Sequence, residues 1–363
     1  MEGTAPVDHE RKELQVTSDP ASGTAGPRVA RVRTANHRLA LIGAGAIARE
    51  HVAAIAGVPG IRLAHVVDRH PQRAAALARL ADGATWSTDP ATAWSDGVDV
   101  TAVCTSPDSH AELAVAAFEA GKAVLLEKPA ALRVADTDRI LAAAETAGRP
   151  LLVAQTARFQ PVHLEIARAV ADGAVGTPRL AHLTWYTGHV WPGGWRAWQL
   201  DEARSGGHVA HNGVHALDLL TWLMDDEPVR VFARPCRTWA PGMPTPDSFQ
   251  ILVRFARGAL ATIELCYALA QRGAMLRRLM LAGTEGTVHH SSEDEPRVQS
   301  AAPVAPASIE GAMTEQTRHL RDVLDGSARP LTTHRQVRAA LAAALAAQRS
   351  ADEGRPVDVE EVC

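Results

Sequence analysis

Lysine is scarce in this chain. Of its 37 basic side chains, only Lys12, Lys122 and Lys128 are lysines, and all the others are arginines. Arginine keeps its charge in a protein, whereas a desolvated lysine can lose its proton and serve as an acid or a base. Lys128 follows an apolar run and stands between Glu127 and Pro129. Residue type alone favours a surface ion pair with Glu127, so the rest of the sequence must decide between that role and a chemical one.

Several other absences exclude whole classes of protein. The four cysteines, at positions 104, 236, 266 and 363, have no CxxC spacing, which indicates neither a disulfide framework nor a thiolate metal site. No apolar run approaches the roughly 20 residues that cross a bilayer, and the N-terminus has no apolar signal core. The net charge of −4 does not favour nucleic-acid binding. We therefore expect a cytoplasmic protein whose partners include neither membranes nor nucleic acids.

The hydrophobic pattern divides the 363 residues into three regions. Residues 1–36 are rich in small and polar side chains without periodicity, which predicts a flexible tail. Residues 37–155 alternate near-continuous apolar strands with helices, which predicts an α/β domain built on a doubly wound parallel sheet. Residues 156–363 contain successive strands, one helix near 212–224 and two closing helices. They predict an α+β domain with a large, mostly antiparallel open sheet, whose last helices pack back on the first domain.

The segment GAGAIA, from Gly43 to Ala48, joins the first predicted strand to the first predicted helix. In that context Gly43 permits the tight turn, Gly45 lets a diphosphate approach the backbone, and Ala48 keeps the helix close to the strand. The exposed amides at the helix N-terminus attract the diphosphate. We therefore predict a dinucleotide site that includes Gly43, Ala44, Gly45, Ala46 and Ile47.

An acidic residue ends the second predicted strand. Asp68 lies 23 residues after Gly45 (68 minus 45), the separation expected of a carboxylate that holds the adenosine ribose of NAD(H). A carboxylate there repels the 2′-phosphate of NADP(H), although the adjacent Arg69 could offset the repulsion. We therefore place NAD(H) ahead of NADP(H) and assign Asp68 and Arg69 to the cofactor site.

The segment CTSPDSHAELAVAAFEAGKAVLLEKPAAL, residues 104–132, carries a Thr-Ser-Pro turn, a histidine and an E-K-P motif. With GAGAIA and GGHVAHNGVHALDLLTWL, residues 206–223, it resembles the Gfo/Idh/MocA family from about residue 38 to the end. The resemblance implies an NAD(P)-dependent oxidoreductase that acts on a secondary hydroxyl of sugars, cyclitols or related polyols. It also implies an N-terminal Rossmann domain and a C-terminal sheet that forms the contacts of a homodimer or homotetramer.

The same resemblance implies roles for individual residues. Lys128 matches the lysine near the nicotinamide and the substrate hydroxyl, and Glu127 and Pro129 position it, with a cis bond before Pro129. Lysine then stands at 128 because its proton must be shared with a reacting hydroxyl, which arginine could not do. The turn that lines the nicotinamide side of the pocket matches Thr105, Ser106, Pro107 and His110.

The segment SGGHVAHNGVHALDLLTWLM matches a family pattern in which an Asp precedes a His by four residues. Here His215 matches the histidine and is the candidate general acid or base, whereas His211 replaces the acid. On a continuous helix both imidazoles would project to one face, where His211 would tune His215 or bind substrate; simple packing is the alternative. His208, His211 and His215 also have a spacing that could suit zinc, but relatives of this pattern work without metal, and we expect none.

Tryptophan is concentrated in TWYTGHVWPGGWRAWQLD, residues 184–201. Pro192, Gly193 and Gly194 predict a loop here, and a loop is a poor place to bury so much aromatic area for packing alone. We therefore favour a substrate-pocket wall that includes Trp191, Trp195 and Arg196, over core packing or a subunit contact. Arg158 matches an arginine that follows the last Rossmann strand in relatives, and we predict that it contacts cofactor or substrate; the alternative is a surface ion pair.

Two other functions are consistent with these motifs. The first is an enzyme that uses tightly bound NAD transiently, oxidising and re-reducing one substrate during elimination or glycoside cleavage. The second is a non-catalytic dinucleotide-binding protein, which His211 in place of the acid would favour. Intact Gly43, Gly45, Lys128 and His215 argue against the second. A dehydrogenase with a sugar-like substrate is therefore the prediction.

Overall fold

Two β-sheets organise the chain in this computed structural model, which describes residues 36–188, 196–237, 246–269, 274–292 and 309–363. Within those ranges no helix combines the length and the apolarity that a membrane crossing requires. The tail predicted for residues 1–36 lies almost entirely outside the described part of the chain.

The first sheet has six parallel strands, in the spatial order β3-β2-β1-β4-β5-β6. This is the doubly wound order, and it confirms the parallel sheet predicted from near-continuous apolar strands. The strands are β1 (His37–Ile42), β2 (Ile61–Val67), β3 (Thr85–Ser87), β4 (Val100–Val103), β5 (Ala123–Leu126) and β6 (Leu151–Val153).

Four helices connect these strands. Pro71 occupies the first turn of α2, where a missing amide costs nothing, and Gly148 ends α4 with a left-handed φ of 60°. These helices confirm the alternation of strands and helices that the sequence pattern predicts. The helices are α1 (Ala46–Ala56), α2 (Pro71–Ala78), α3 (His110–Glu119) and α4 (Val134–Ala147).

The second sheet has seven strands, in the order β12-β11-β7-β10-β9-β8-β13. Only β7 and β10 pair in parallel, so the predicted mostly antiparallel sheet is confirmed. The strands are β7 (Pro178–Gly188), β8 (Pro228–Cys236), β9 (Ser248–Phe255), β10 (Leu260–Leu269), β11 (Met275–Gly283), β12 (Thr287–Ser291) and β13 (Val357–Asp358).

Helices cover one face of this sheet. The sequence predicted a single helix among these strands and therefore missed α5. This helix begins at Pro161, and its Val162 and Ile166 are buried one turn apart. Alanines on α10 are fully buried and let that helix lie close to β8 and α8. Helix α9 packs against α1 of the first sheet instead. The helices are α5 (Pro161–Ala171), α6 (Ala197–Leu200), α7 (Glu202–Ser205), α8 (Val214–Met224), α9 (Ile309–Leu324) and α10 (His334–Glu353).

The carboxyl ends of the parallel strands define the region where a ligand would bind. In an open α/β sheet these ends lie along one edge, and ligands bind in the crevice outside them. Five strands of the first sheet are followed there, within two residues, by a residue of the candidate site: Gly43 after β1, Asp68 after β2, Thr105 after β4, Lys128 after β5 and Gln155 after β6.

Candidate functional site

The glycine turn after β1 leaves open the space that a diphosphate needs. Gly43 has a φ of 98°, and a Cβ there would lie 2.6 Å from the Cys104 carbonyl oxygen, so no larger residue fits. Gly45 is the N-cap of α1 and offers no side-chain cap to its amides. A Cβ at Gly45 would meet no atom within 4 Å. Uncapped amides beside open space therefore fit the predicted diphosphate.

The Asp68 carboxylate closes this turn from the end of β2. Its Oδ2 accepts a hydrogen bond from the Ala44 amide at 2.7 Å, and its Oδ1 accepts one from the His70 amide at 2.8 Å. Each carboxylate oxygen has a further lone pair, so ribose hydroxyls could still bind. Arg69 is exposed beside it, and Ile47 packs against the core of the first sheet.

His110 links the turn after β4 to the E-K-P motif. Its Nδ1 lies 2.8 Å from the Pro129 carbonyl oxygen and its Nε2 lies 3.2 Å from the Thr105 carbonyl oxygen. Burial lowers the pKa of His110, against the opposing effect of these carbonyls. The neutral ring therefore donates one proton, to the nearer Pro129 carbonyl, and connects two segments that the sequence separates by 19 residues.

The other side of that turn contacts α7 of the second domain. Ser106 Oγ accepts from Arg204 Nη2 at 3.0 Å, and Arg204 also pairs with Asp108 at 3.3 Å. Pro107, which lies between Ser106 and Asp108 in the sequence, is buried. The turn is therefore in contact with the helices that precede α8.

Glu127 pairs with a histidine that the sequence analysis did not identify. Its Oε1 lies 2.8 Å from His51 Nε2, and both side chains are buried. Burial opposes both charges, but interactions with Cys104 and Glu127 raise the pKa of His51 to about 10, and the His51 contact keeps the pKa of Glu127 below its usual value. The alternative of a surface ion pair between Glu127 and Lys128 is wrong, because the Glu127 carboxylate is inside the fold.

Lys128 reaches across from the first sheet to the segment before α8. Its Nζ donates a hydrogen bond to the His211 carbonyl oxygen at 2.9 Å. Burial lowers its pKa to about 8, although the charge of Glu127 opposes the shift. The Lys128–Pro129 peptide bond is cis, as the resemblance implied. An amine with this pKa can gain or lose a proton near neutral pH.

A π-helical turn, Val209–Gly213, precedes α8. The sequence pattern predicted His211 and His215 one turn apart on a continuous α-helix. A π-helical turn contains an extra residue, so the α-helical spacing rule does not set their relative direction. The predicted helical spacing therefore no longer implies that the two imidazoles project to one face, and each ring has its own contacts.

His215 has one ring nitrogen engaged and the other available. Nδ1 lies 2.9 Å from Gln155 Oε1, and Nε2 makes no hydrogen bond to any residue in the described ranges. The ring stacks on Trp185, with centroids 6.1 Å apart. Burial, with the charges of Lys128 and Arg277, holds its pKa well below the usual value. With Gln155 Oε1 as acceptor, Nδ1 carries the proton and Nε2 has a lone pair for a ligand.

His211 and His208 each pack on a different aromatic ring. The His211 ring meets Trp198 edge-on at 5.0 Å, and its Nε2 lies 3.4 Å from the Gln199 amide nitrogen. His208 stacks on Tyr267 at 5.3 Å, and burial lowers its pKa to about 4. Among the residues that the structure describes, no three His, Cys, Asp or Glu side chains are arranged to hold a metal ion.

Arg158 is inside the protein and is paired there, which contradicts the alternative of a surface ion pair. Its Nε and Nη2 donate to the two oxygens of Asp218 at 2.7 and 2.8 Å, and its Nη1 donates to Gln336 and to the Leu331 carbonyl. The side chain has no exposed surface. This arrangement joins the end of β6 to α8 and α10, and it makes Arg158 and Asp218 structural partners.

The predicted aromatic wall is only partly described. Trp191 and Trp195 lie outside the described residues. Arg196 is exposed at the start of α6, where its amide donates to Gln199 Oε1 at 2.7 Å. The tryptophans that do contact the site histidines, Trp185 and Trp198, belong to β7 and α6 rather than to a loop.

Sequence reasoning missed Arg277, Gln155 and His51. For Arg277 a signal existed: it alternates with Leu279 and Leu281 on β11, so the period of two places a cation on the buried face. Gln155 follows a parallel strand, which is a place where ligand-binding groups occur. His51 lies on α1, whose sequence offers no indication that its partner is 76 residues away.

Comparisons with known proteins agree with the fold and the motifs. A family model described as an oxidoreductase family with an NAD-binding Rossmann fold matches residues 37–155, and a GFO/IDH/MocA C-terminal domain model matches residues 163–289.

Individual relatives match over most of the chain. An inositol 2-dehydrogenase from Saccharopolyspora erythraea is 31% identical over 89% of this chain and 96% of its own length. A D-apiose dehydrogenase from Paraburkholderia graminis is 28% identical over 89% of this chain and 90% of its own. The crystal structure of an oxidoreductase domain protein from Kribbella flavida superposes with a TM-score of 0.78, at 25% identity over 90% of this chain and 99% of that one. The chain belongs to the GFO/IDH/MocA family of oxidoreductases.

Proposed function

We propose that this protein transfers a hydride between a nicotinamide cofactor and a secondary hydroxyl or keto group of a sugar, cyclitol or related polyol. One observation carries the proposal: Lys128 Nζ donates to the His211 carbonyl at 2.9 Å, which brings the E-K-P lysine to the segment that leads into His215. The names of the inositol and apiose dehydrogenases support this substrate class. Residues 37–155 would bind the cofactor and residues 156–363 the substrate.

NAD(H) is the proposed cofactor, ahead of NADP(H). The Gly43–Ile47 turn would hold the diphosphate, Asp68 the ribose, and Thr105, Ser106 and Pro107 the nicotinamide side. Buried His110 would position that turn through its contacts with the Thr105 and Pro129 carbonyls. The open space over Gly45 and the carboxylate beside Ala44 fit that ligand. Bound nicotinamide would supply or accept the hydride. Arg158 is left out of the proposed site, because its donors already bind Asp218 and Gln336.

Lys128 and His215 would handle the hydroxyl proton. During oxidation the neutral Lys128 amine would accept that proton, and the His215 Nε2 lone pair would accept a hydrogen bond from the same hydroxyl. The His211 carbonyl holds Nζ in place, and His51 holds the Glu127 carboxylate, whose charge only partly offsets the effect of burial on the Lys128 pKa. The His211 imidazole, Arg196, Trp191 and Trp195 are proposed to line the substrate side.

A homodimer or homotetramer is proposed to form through the uncovered face of the second sheet. Four large apolar side chains in this sheet are 40–44% exposed, an unusual concentration for strands of a monomer. They are Leu180, Leu252, Leu260 and Met280.

The test of this function is NADH formation, followed by absorbance, with NAD⁺ and a panel of polyols, cyclitols and aldoses. A parallel series would use NADP⁺. Turnover of at least one polyol is expected. If no substrate yields NADH although NADH binding is detectable, the transient-redox enzyme or the non-catalytic binder replaces this proposal.

The rate should depend on pH through Lys128. Because burial lowers its pKa to about 8, the amine is protonated below that pH and cannot accept a proton. The kcat/KM for oxidation should therefore rise with pH and level off above about 8, and the rate of reduction should fall over the same range. His215 stays neutral throughout, since its pKa is shifted well below its usual value. A flat profile for the wild-type enzyme would contradict the role of Lys128.

Replacing Asp68 should change cofactor preference. Asp68→Asn keeps an acceptor for the Ala44 amide but removes the charge that repels a 2′-phosphate. We expect the ratio of kcat/KM for NADP⁺ to that for NAD⁺ to rise about tenfold, the effect of roughly one charged hydrogen bond. Asp82→Asn, an exposed acid on the loop after α2, is the matched control. An unchanged ratio would remove Asp68 from the ribose site.

A further inference from the structure

Arg277 is a buried cation beside the proposed proton-transfer residues. It lies on β11 directly opposite Trp185 of β7, and the two side chains are 7% and 6% exposed. Its Cζ is 3.9 Å from the centre of the Trp185 ring, and the same indole stacks on His215. Arg277 and His215 therefore contact the same indole, and the charge of Arg277 is close enough to lower the pKa of His215.

The charge of Arg277 has no counter-ion in the described part of the chain. Its contacts are with neutral groups: Nη1 donates to the carbonyls of Tyr186 and Leu276, and Nη2 donates to Thr187 Oγ1 at 2.9 Å. Burial lowers its pKa only to about 10, so the side chain is cationic at neutral pH. A buried charge without an opposite charge is costly, which indicates that an anion belongs next to it.

Nearby acidic groups do not supply that anion. Glu127 pairs with His51, and Asp218 pairs with Arg158. The buried Asp247 acts on His208 but forms no ion pair with Arg277. The charges that act on His215 are those of Lys128 and Arg277, and both are positive. The surroundings of His215 are therefore electrostatically positive before a substrate binds.

The guanidinium has two donors left. Of its five N–H groups, three donate to Tyr186, Leu276 and Thr187. The Nε–H and one Nη2–H make no hydrogen bond to a residue of the described ranges. Two donors match the two oxygens of a carboxylate, which arginine binds in a fork geometry. A phosphate would leave at least one oxygen without a partner at this nearly closed position.

We infer that the substrate is a sugar acid whose carboxylate binds Arg277 while a secondary hydroxyl of the same molecule reaches His215 and Lys128. Aldonates and uronates are the two classes with this combination of groups. The inference rests on the proposed function for the reacting hydroxyl, but the carboxylate site is tested by binding alone.

Calorimetry on the full chain saturated with NADH tests the inference. Each acid is compared with the uncharged sugar that has a hydroxymethyl in place of the carboxylate: D-glucuronate with D-glucose, D-galacturonate with D-galactose, and D-gluconate with D-glucitol. Glucose 6-phosphate is included as a phosphate probe. At least one acid should bind about 30-fold more tightly than its partner, as expected of one charge-assisted pair.

Variants locate the effect. Arg277→Gln should reduce the preference for the acid to about threefold or less, and Arg277→Lys should keep part of it because the charge remains. Arg278→Gln is the matched control, since the next residue of a strand points to the opposite face and Arg278 is exposed. NADH binding by fluorescence verifies that each variant is folded. If Arg277→Gln does not fold, a reduced preference for the acid in Arg277→Lys supports the inference, and an unchanged preference contradicts it.

The inference is overturned if no acid binds more tightly than its partner, if the preference survives Arg277→Gln, or if the phosphate binds best. NADH formation from an uncharged polyol with no preference for acids would overturn it and leave the proposed function intact. A preference for acids that disappears in Arg277→Gln, without any NADH formation, would support the carboxylate site and contradict the dehydrogenase activity.

Discussion

Lys128→Arg should abolish most of the turnover while leaving the protein folded and able to bind NADH. The substitution keeps the positive charge, but a guanidinium cannot release its proton at accessible pH. General acid–base catalysis contributes about 10² to 10⁴ in rate, so kcat should fall by that factor. The hydrogen bond from Nζ to the His211 carbonyl would also be replaced by donors of different geometry. Steady-state kinetics with a substrate from the polyol or sugar-acid panel measures the loss.

A second lysine provides the matched control. Lys122 Nζ donates to the Ser95 carbonyl at 3.1 Å, at the opposite end of β5 from Lys128. Lys122→Arg should therefore have kcat within about twofold of wild type, because a surface substitution away from the site has little effect. Turnover of Lys128→Arg within a few-fold of wild type would contradict a proton-transfer role for Lys128.

Arg158→Leu should strongly destabilise the protein. The substitution leaves the Asp218 carboxylate fully buried without its bidentate partner. Breaking a buried ion pair from one side costs about 3–5 kcal/mol, so the midpoint of urea denaturation should fall well below that of the wild type. Arg158→Leu combined with Asp218→Leu should recover much of the loss, because no unpaired charge then remains.

The exposed pair Arg335–Glu227 is the control for the buried one. Its N–O distance is 3.1 Å, and the two side chains are 60% and 47% exposed. Exposed pairs contribute little to stability, so Arg335→Leu should leave the denaturation midpoint unchanged within error. If Arg158→Leu were as stable as Arg335→Leu, Arg158 would have to be free of Asp218 in solution, and its predicted contact with cofactor or substrate would become tenable again.

Local sequence patterns were sufficient to predict the first domain. Near-continuous apolar runs predicted its parallel sheet, and GAGAIA and Asp68 predicted the turn at which the Asp68 carboxylate accepts from the Ala44 amide. These features depend on residues close in sequence or at the ends of neighbouring parallel strands, and periodicity and strand order suffice to place them.

The second domain was predicted less completely. Its antiparallel character followed from successive strands, but α5, β12 and β13 were missed. Strand β12 has Val288 as its one aliphatic residue and β13 is two residues long, whereas α5 has apolar residues at helical spacing and could have been predicted. The π-helical turn before α8 was also missed. Nothing in the residues Val209–Gly213 distinguishes such a turn from an ordinary α-helical one; it depends on how the surrounding side chains pack.

By itself, the sequence determined the family, the parallel sheet and the identity of Lys128 and His215 as the residues to consider. The tertiary structure decided which groups contact each other. Glu127 pairs with His51, Lys128 donates to the His211 carbonyl, and Arg158 pairs with Asp218. It also placed Arg277 without a counter-ion beside His215. The physical reason is that such partners are 60 or more residues apart, so no local pattern encodes them, and only burial and charge in the folded chain select them.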